Sequence, residues 1–202
     1  MKTKLIYVIA LVLLVQIANA QTFGIKGGLN FANLVYSGGG MTTSDKSITG
    51  IHIGPVLDFT LQGNLNFNTG LLYSIIGSKI EGTDGYTATI NTLEVPLNLA
   101  YKFPINDKSK FFIQAGPFLG YALNGKYKDS TGSTDITFGE QGGIKKFDFG
   151  LGFGGGVEFG SIALSLNYNL GLANLYDDST EKIKTKVLQI SLAYMFVKNV
   201  KK

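Results

Sequence analysis

Apolar residues alternate with small or polar ones through most of this chain, with a period of two and no helical period after residue 20. No other feature constrains the fold as much, because that period puts alternate side chains on opposite faces of a strand. The pattern occurs in eight segments. FGIKGGLNF sets Phe23, Ile25, Leu29 and Phe31 against Gly24, Lys26, Gly28 and Asn30. GIHIGPVLDF sets Ile51, Ile53, Leu57 and Phe59 against His52, Gly54 and Asp58. From Leu65 to Ile75, Phe67, Leu71 and Tyr73 oppose Asn66, Asn68, Gly70 and Ser74. In LEVPLNLAYKF, Leu93 to Phe103 alternate with Glu94, Asn98, Ala100 and Lys102. The fifth segment runs from Phe111 to Leu123, where Phe112 and Phe118 interrupt the polar face. The sixth runs from Phe147 to Phe159, where Gly154-Gly155-Gly156 blurs the register and points to a bulge or close packing. Ile162 to Leu172 and Val187 to Phe196 complete the set. Each is about 9–11 residues or a little longer, the length a tilted strand needs to cross hydrocarbon.

The connections alternate too. Those after the second, fourth and sixth segments are short, near Gln62 to Asn64, Pro104 to Ser109, and Gly160-Ser161. Those after the others are long: 32–49, 77–91, 124–146 and 173–186. Strict alternation puts all long loops on one rim, as in outer-membrane barrels with short periplasmic turns. The expected fold is all-β: an eight-stranded antiparallel up-and-down transmembrane barrel.

A soluble barrel around an apolar ligand would alternate as well. Its outer face would be rich in Lys, Glu, Thr and Gln. Here the non-apolar face is mostly Gly, Ala, Ser and Asn, with scattered charges at Lys26, Asp58, Glu94, Lys102, Asp148 and Glu158. Small residues and a few opposite charges suit the cramped interior of a small barrel, so the apolar face is expected to meet lipid. Aromatics near segment ends (Phe23, Phe31, Phe103, Phe111, Phe147, Phe159, Tyr194, Phe196) fit interfacial girdles. The soluble ligand-binding barrel stands as an alternative.

Residues 1–20 read as a secretory signal: Lys2 and Lys4, an apolar run from Ile6 to Val15, and an Ala18-Asn19-Ala20 cleavage site. Gln21 would open the mature barrel domain, 21–202. All 18 basic residues are Lys, which argues against nucleic-acid recognition through bidentate Arg contacts. There is no Cys, so thiolate metal sites and thiol nucleophiles are excluded.

Chemical motifs are sparse. Gly150 to Gly155 matches GxGxxG, but the strand continues where a dinucleotide site needs a helix. Gly120 to Lys126 matches GxxxxGK, but Tyr127 stands where Ser or Thr would bind Mg²⁺. His52 is the only histidine. It should point inward near the external rim, about 20 Å from Asp58 on the same face. A partner such as Ser74 or Glu94 would have to come from another strand. The expectation is a satisfied interior histidine. Asp177, Asp178 and Glu181 read as a solvated loop rather than a Ca²⁺ site. No catalytic, cofactor-binding or metal-ligating role is assigned to any residue.

The segments IKGGLNFANL, LEVPLNLAYKF, FFIQAGPFLGY and FDFGLGFGGGVEFG resemble those of the Bacteroidetes outer-membrane β-barrel family called PorT-like. The final ISLAYMF is similar to the aromatic-ended strand that the barrel-assembly machinery recognises, with Val197 to Lys202 following it. The resemblance spans 21–202 and implies the barrel rather than an activity. It implies outer-membrane lipid and the assembly machinery as partners. A non-enzymatic role is expected, either structural or through external loops meeting a protein or polysaccharide, with no open pore. A rim enzyme acting on lipid or peptide is the alternative.

Overall fold

The computed structural model describes residues 22–38, 41–79, 86–139, 143–176 and 181–197. The signal segment, Asp177 and Asp178 lie outside them. The strands are β1 (Thr22–Gly38), β2 (Met41–Ser44), β3 (Lys46–Gln62), β4 (Leu65–Gly70), β5 (Leu72–Lys79), β6 (Thr87–Pro104), β7 (Ser109–Lys128), β8 (Ser133–Asp135), β9 (Phe147–Phe159), β10 (Ile162–Gly171) and β11 (Glu181–Val197). All pairings between them are antiparallel. β1 pairs with both β3 and β11, which closes the sheet into a ring and leaves the main staves without free edges.

β4 and β5 form one stave. Both keep one register against β6, both pair β3 in the same register on either side of Leu71 (Val56↔Gly70, Ile53↔Tyr73), and only Leu71 falls between them. The register against β3 shifts only further out, at Ser47/His52 and Thr60/Gln62. Leu71 donates its N–H to the Pro55 carbonyl at 3.0 Å, but Pro55 has no N–H to return. With β2 and β8 as short rim additions, the ring has eight staves, as the alternation predicts.

The polarity of the two faces is that of a membrane barrel. Ile25, Leu99, Leu151 and Leu192 point outward and are 52–57% exposed, whereas Asn30, His52 and Ser74 are 0–1% exposed inside. The soluble ligand-binding alternative needs the opposite arrangement at this level and is ruled out. An aromatic belt circles the short-turn rim, with ring contacts Phe23–Phe196 (4.9 Å), Tyr194–Phe196 (5.2 Å) and Phe103–Phe111 (6.0 Å).

Several expectations need correction. The long connections are partly strand: β1 runs to Gly38, β3 starts at Lys46, β6 at Thr87, and β11 at Glu181. The reason is an inversion of polarity. Below the external boundary the outward residues of β11 are Leu188, Ile190, Leu192, Tyr194 and Phe196, and above it they are Lys182, Lys184 and Lys186. Inward residues switch the other way, from Gln189 and Ser191 to Val187 and Ile183. Adjacent apolar doublets mark the crossing, and those of neighbouring strands are in register: Phe31↔Leu188 and Ala32↔Val187. Phe31 therefore sits inside a strand rather than at its end, yet still at the lipid boundary.

The glycine triplet carries no bulge, because pairing runs unbroken through Gly154, Gly155 and Gly156 on both sides. Register shifts occur elsewhere, including Asn91/Thr92 opposite Ala122 to Asn124. Leu57 is buried (6%), not exposed. Phe112 and Phe118 fill the lumen beside two of the glycines. A Cβ on Gly156 would lie 2.8 Å from the Phe112 ring, and one on Gly150 would lie 2.6 Å from the Phe118 ring.

Above the boundary the interior is an apolar core. Leu34, Ile90, Ile183 and Val187 of the strand extensions pack with Ile136, Ile144 and Leu175 from the long connections. Backbone bonds hold these inward: Ile136 N–H to Gly125 O (2.9 Å), Lys145 N–H to Leu175 O (2.7 Å) and Leu175 N–H to Ile183 O (2.9 Å). The external mouth is thereby capped.

Candidate functional site in the barrel interior

The interior polar groups form three layers. In the first, His52 of β3 meets the first and last strands. Gly28 of β1 lies directly between His52 and Ser191, opposite both in the pairing register. With no side chain at Gly28, the imidazole crosses β1. His52 Nε2 lies 2.9 Å from Ser191 Oγ, and Nδ1 lies 2.8 Å from Asn30 Oδ1. The Asn30 amide nitrogen donates to Ser74 Oγ at 2.8 Å and to the Ile75 carbonyl at 3.1 Å. Asn30 Oδ1 is thus an acceptor, so His52 donates from Nδ1 and accepts the Ser191 hydroxyl proton at Nε2.

Geometrically this is a nucleophile, base and orienting group in series. Ser191 and His52 are 1% exposed and Asn30 is 0% exposed, and none of them lines the cavity above or the cavity below. A substrate would have no room beside Ser191. The row is a satisfied polar lock across the seam where the barrel closes. Gly28→Ala should break it, because the new Cβ would meet His52 Cε1 at 2.9 Å and the Ile190 carbonyl at 2.0 Å. A loss of about 1–3 kcal/mol is expected from overpacking, read from urea unfolding in detergent micelles. Unchanged stability would contradict the crossing of His52 over Gly28.

The second layer holds Glu94, which accepts from Asn169 Nδ2 at 3.2 Å and from Gln189 Nε2 at 3.4 Å. Asp148 accepts from Thr185 Oγ1 at 2.7 Å, leaving its Oδ1 without a protein partner. A cavity of about 30 Å³ is lined by Glu94, Asp148 and Thr185 together with Ile90, Ile144 and Leu175 of the apolar cap. Towards the short-turn rim, Lys102 is clamped between Asp58 and Glu158, the latter at 2.7 Å. Asn66 donates to Asp58 at 2.6 Å. A cavity of about 70 Å³ beside this cluster is lined by Lys26, Asn68, Asn98 and Gln114, among others.

The structure thus separates His52 from Asp58, as their spacing predicts. Ser74 reaches His52 only through Asn30, and Glu94 belongs to another layer. Asn30 and Ser191, the direct partners, carry no motif. Their placement follows only from the pairing of first and last strands. GxGxxG lies within β9 and GxxxxGK within β7, so neither opens a helix. Among the described residues no three His, Asp or Glu side chains are grouped to hold a metal ion.

A closed eight-stave ring, apolar outside and polar within, is what a bilayer demands of a β-sheet. The family model for the outer membrane protein beta-barrel domain matches residues 19–177. The chain belongs to that family. This outer-membrane barrel is similar in fold to OprG from Pseudomonas aeruginosa (TM-score 0.50, 14% identity, covering 89% of this chain and 98% of that one). It is also similar to Neisserial surface protein A (TM-score 0.48, 14% identity, 86% and 97%) and to the outer membrane enzyme PagL (TM-score 0.44, 18% identity, 80% and 97%). Comparison with characterised protein sequences yields no match. The barrel resides in the outer membrane, with its apolar belt against lipid.

Proposed function

We propose that this outer-membrane barrel acts without catalysis, as a membrane-anchored platform whose external rim meets a protein or polysaccharide partner. The observation that carries this reading is the capped mouth. The long connections are tied onto a hydrophobic core, so the rim is a shaped surface above a filled lumen rather than the entrance to a pore. The turn at 129–132 is similarly built. The Asp129 carboxylate accepts from Thr131 N–H, Thr131 Oγ1 and Gly132 N–H at 2.7–2.8 Å, and these bonds hold its pKa below the ordinary carboxylate value. We further propose export through the signal at 1–20, assembly through the terminal strand, and a place among the PorT-like barrels of Bacteroidetes.

The native absence of cysteine makes site-specific labelling clean. A photo-crosslinker on Ser130→Cys or Thr134→Cys, both exposed near the cap, should capture a discrete adduct on intact cells. No adduct from either position would sink the platform reading. The enzyme alternative is tested on purified barrel with lipopolysaccharide and peptides. Product that disappears in Ser191→Ala would establish it, and no product is expected.

A further inference from the structure

One stretch of the outer surface carries both halves of an amphiphile-binding site. On β11, Lys182, Lys184 and Lys186 point outward immediately above the boundary, and among the described residues none of the three makes an ion pair. Lys182 to Lys186 spans about 13 Å along the strand at ~3.3 Å per residue. Directly below, on the same face, stand Leu188 and Ile190. Beside them the apolar belt is indented. Gly155 occupies an outward position on β9, facing Ile113 on one side and Leu166 on the other, and Leu166 in turn faces Ile190. The missing side chain leaves an open groove of about 550 Å³, walled by Phe153, Val157, Leu164 and Tyr168 and reaching Leu188 and Ile190.

We propose that this face binds one phosphorylated, acylated glycolipid of the outer leaflet, with an acyl chain in the groove and its anionic headgroup on the three lysines. The groove lies within the lipid-facing belt, so its occupant is hydrocarbon. The lysines lie on the external side, where the headgroups of that leaflet sit, and ammonium groups there attract phosphate. Three cations spread along one strand exceed the reach of a single phosphodiester and match a sugar headgroup with anionic groups at separate positions. A second copy docking through this face would bring the two lysine rows together, which disfavours that occupant.

The test uses the full barrel in detergent micelles, with bound lipid measured by native mass spectrometry. Phosphorylated lipid A should be retained, and chemical dephosphorylation should weaken retention at least tenfold. The triple Lys182→Gln, Lys184→Gln, Lys186→Gln variant should weaken it equally and remove its salt dependence. Val157→Phe, which adds bulk to the groove wall, should weaken retention while leaving the salt dependence intact. Inorganic phosphate at millimolar concentration should not displace the lipid. Equal retention of dephosphorylated lipid, or of phosphatidylglycerol, would overturn the proposal without any variant being needed. Full retention by the triple variant, displacement by phosphate alone, or a dimer through this face that Val157→Phe dissolves would do so too.

Discussion

Lys102→Met should destabilise the folded barrel by about 3–5 kcal/mol, the scale for removing one member of a buried ion cluster. Lys102 is 8% exposed and bonds both Asp58 and Glu158. Without its ammonium, two carboxylates face each other in the lumen, and Asp58 keeps only the neutral Asn66 and whatever solvent reaches the adjacent cavity. The penalty is chiefly that of stranded charge rather than of a lost attraction. Asp58→Asn should therefore be milder, since the Lys102–Glu158 pair survives it. Urea unfolding in micelles, followed by the mobility difference between folded and unfolded bands, measures both. A Lys102→Met loss below about 1 kcal/mol would show that the cluster is solvated instead of closed.

Leu97→Arg should impair the barrel by about 2–4 kcal/mol if the outward face meets mid-bilayer hydrocarbon at this position. Leu97 is central among the outward residues of β6, with Leu93 and Val95 on one side and Leu99, Tyr101 and Phe103 on the other. On the same strand and face, Thr89 lies above the boundary, so Thr89→Arg should be nearly neutral. Folding yield into bilayer vesicles distinguishes the two positions. A harmless Leu97→Arg would mean that the strand register, or the height of the membrane, is wrong.

The membrane-level barrel was legible because one rule governs every stave: even-numbered positions of β6 such as Glu94 and Lys102 face in, and odd ones such as Leu99 face out. The upper third obeys the same pleat with the opposite polarity. Lys184-Thr185-Lys186-Val187-Leu188 therefore reads as the end of a loop and the start of a strand, although the backbone is one strand throughout. Only the medium changes. Against water, the strand extensions and the long connections bury Leu34, Ile90, Ile183 and Leu175 inward, as a soluble domain would. The inward charges were visible as types but not as partners. His52 meets Ser191 because β3 and the last strand both flank the first strand at Gly28, and nothing in the sequence between the two, 139 positions apart, announces that contact.

The polarity inversion gives the molecule two thermodynamic halves joined in series. The cap core releases water when it forms, so its formation carries the heat-capacity change and the weakening on cooling that accompany apolar burial from water. The belt below ends against lipid rather than against other side chains, and once inserted its order rests on ladder bonds that have no aqueous competitor. Cooling and denaturant should therefore act first on the external third. The cap can loosen and reform above a ring that remains shut, and a partner that recognises the rim engages the half of the molecule whose stability is set by water.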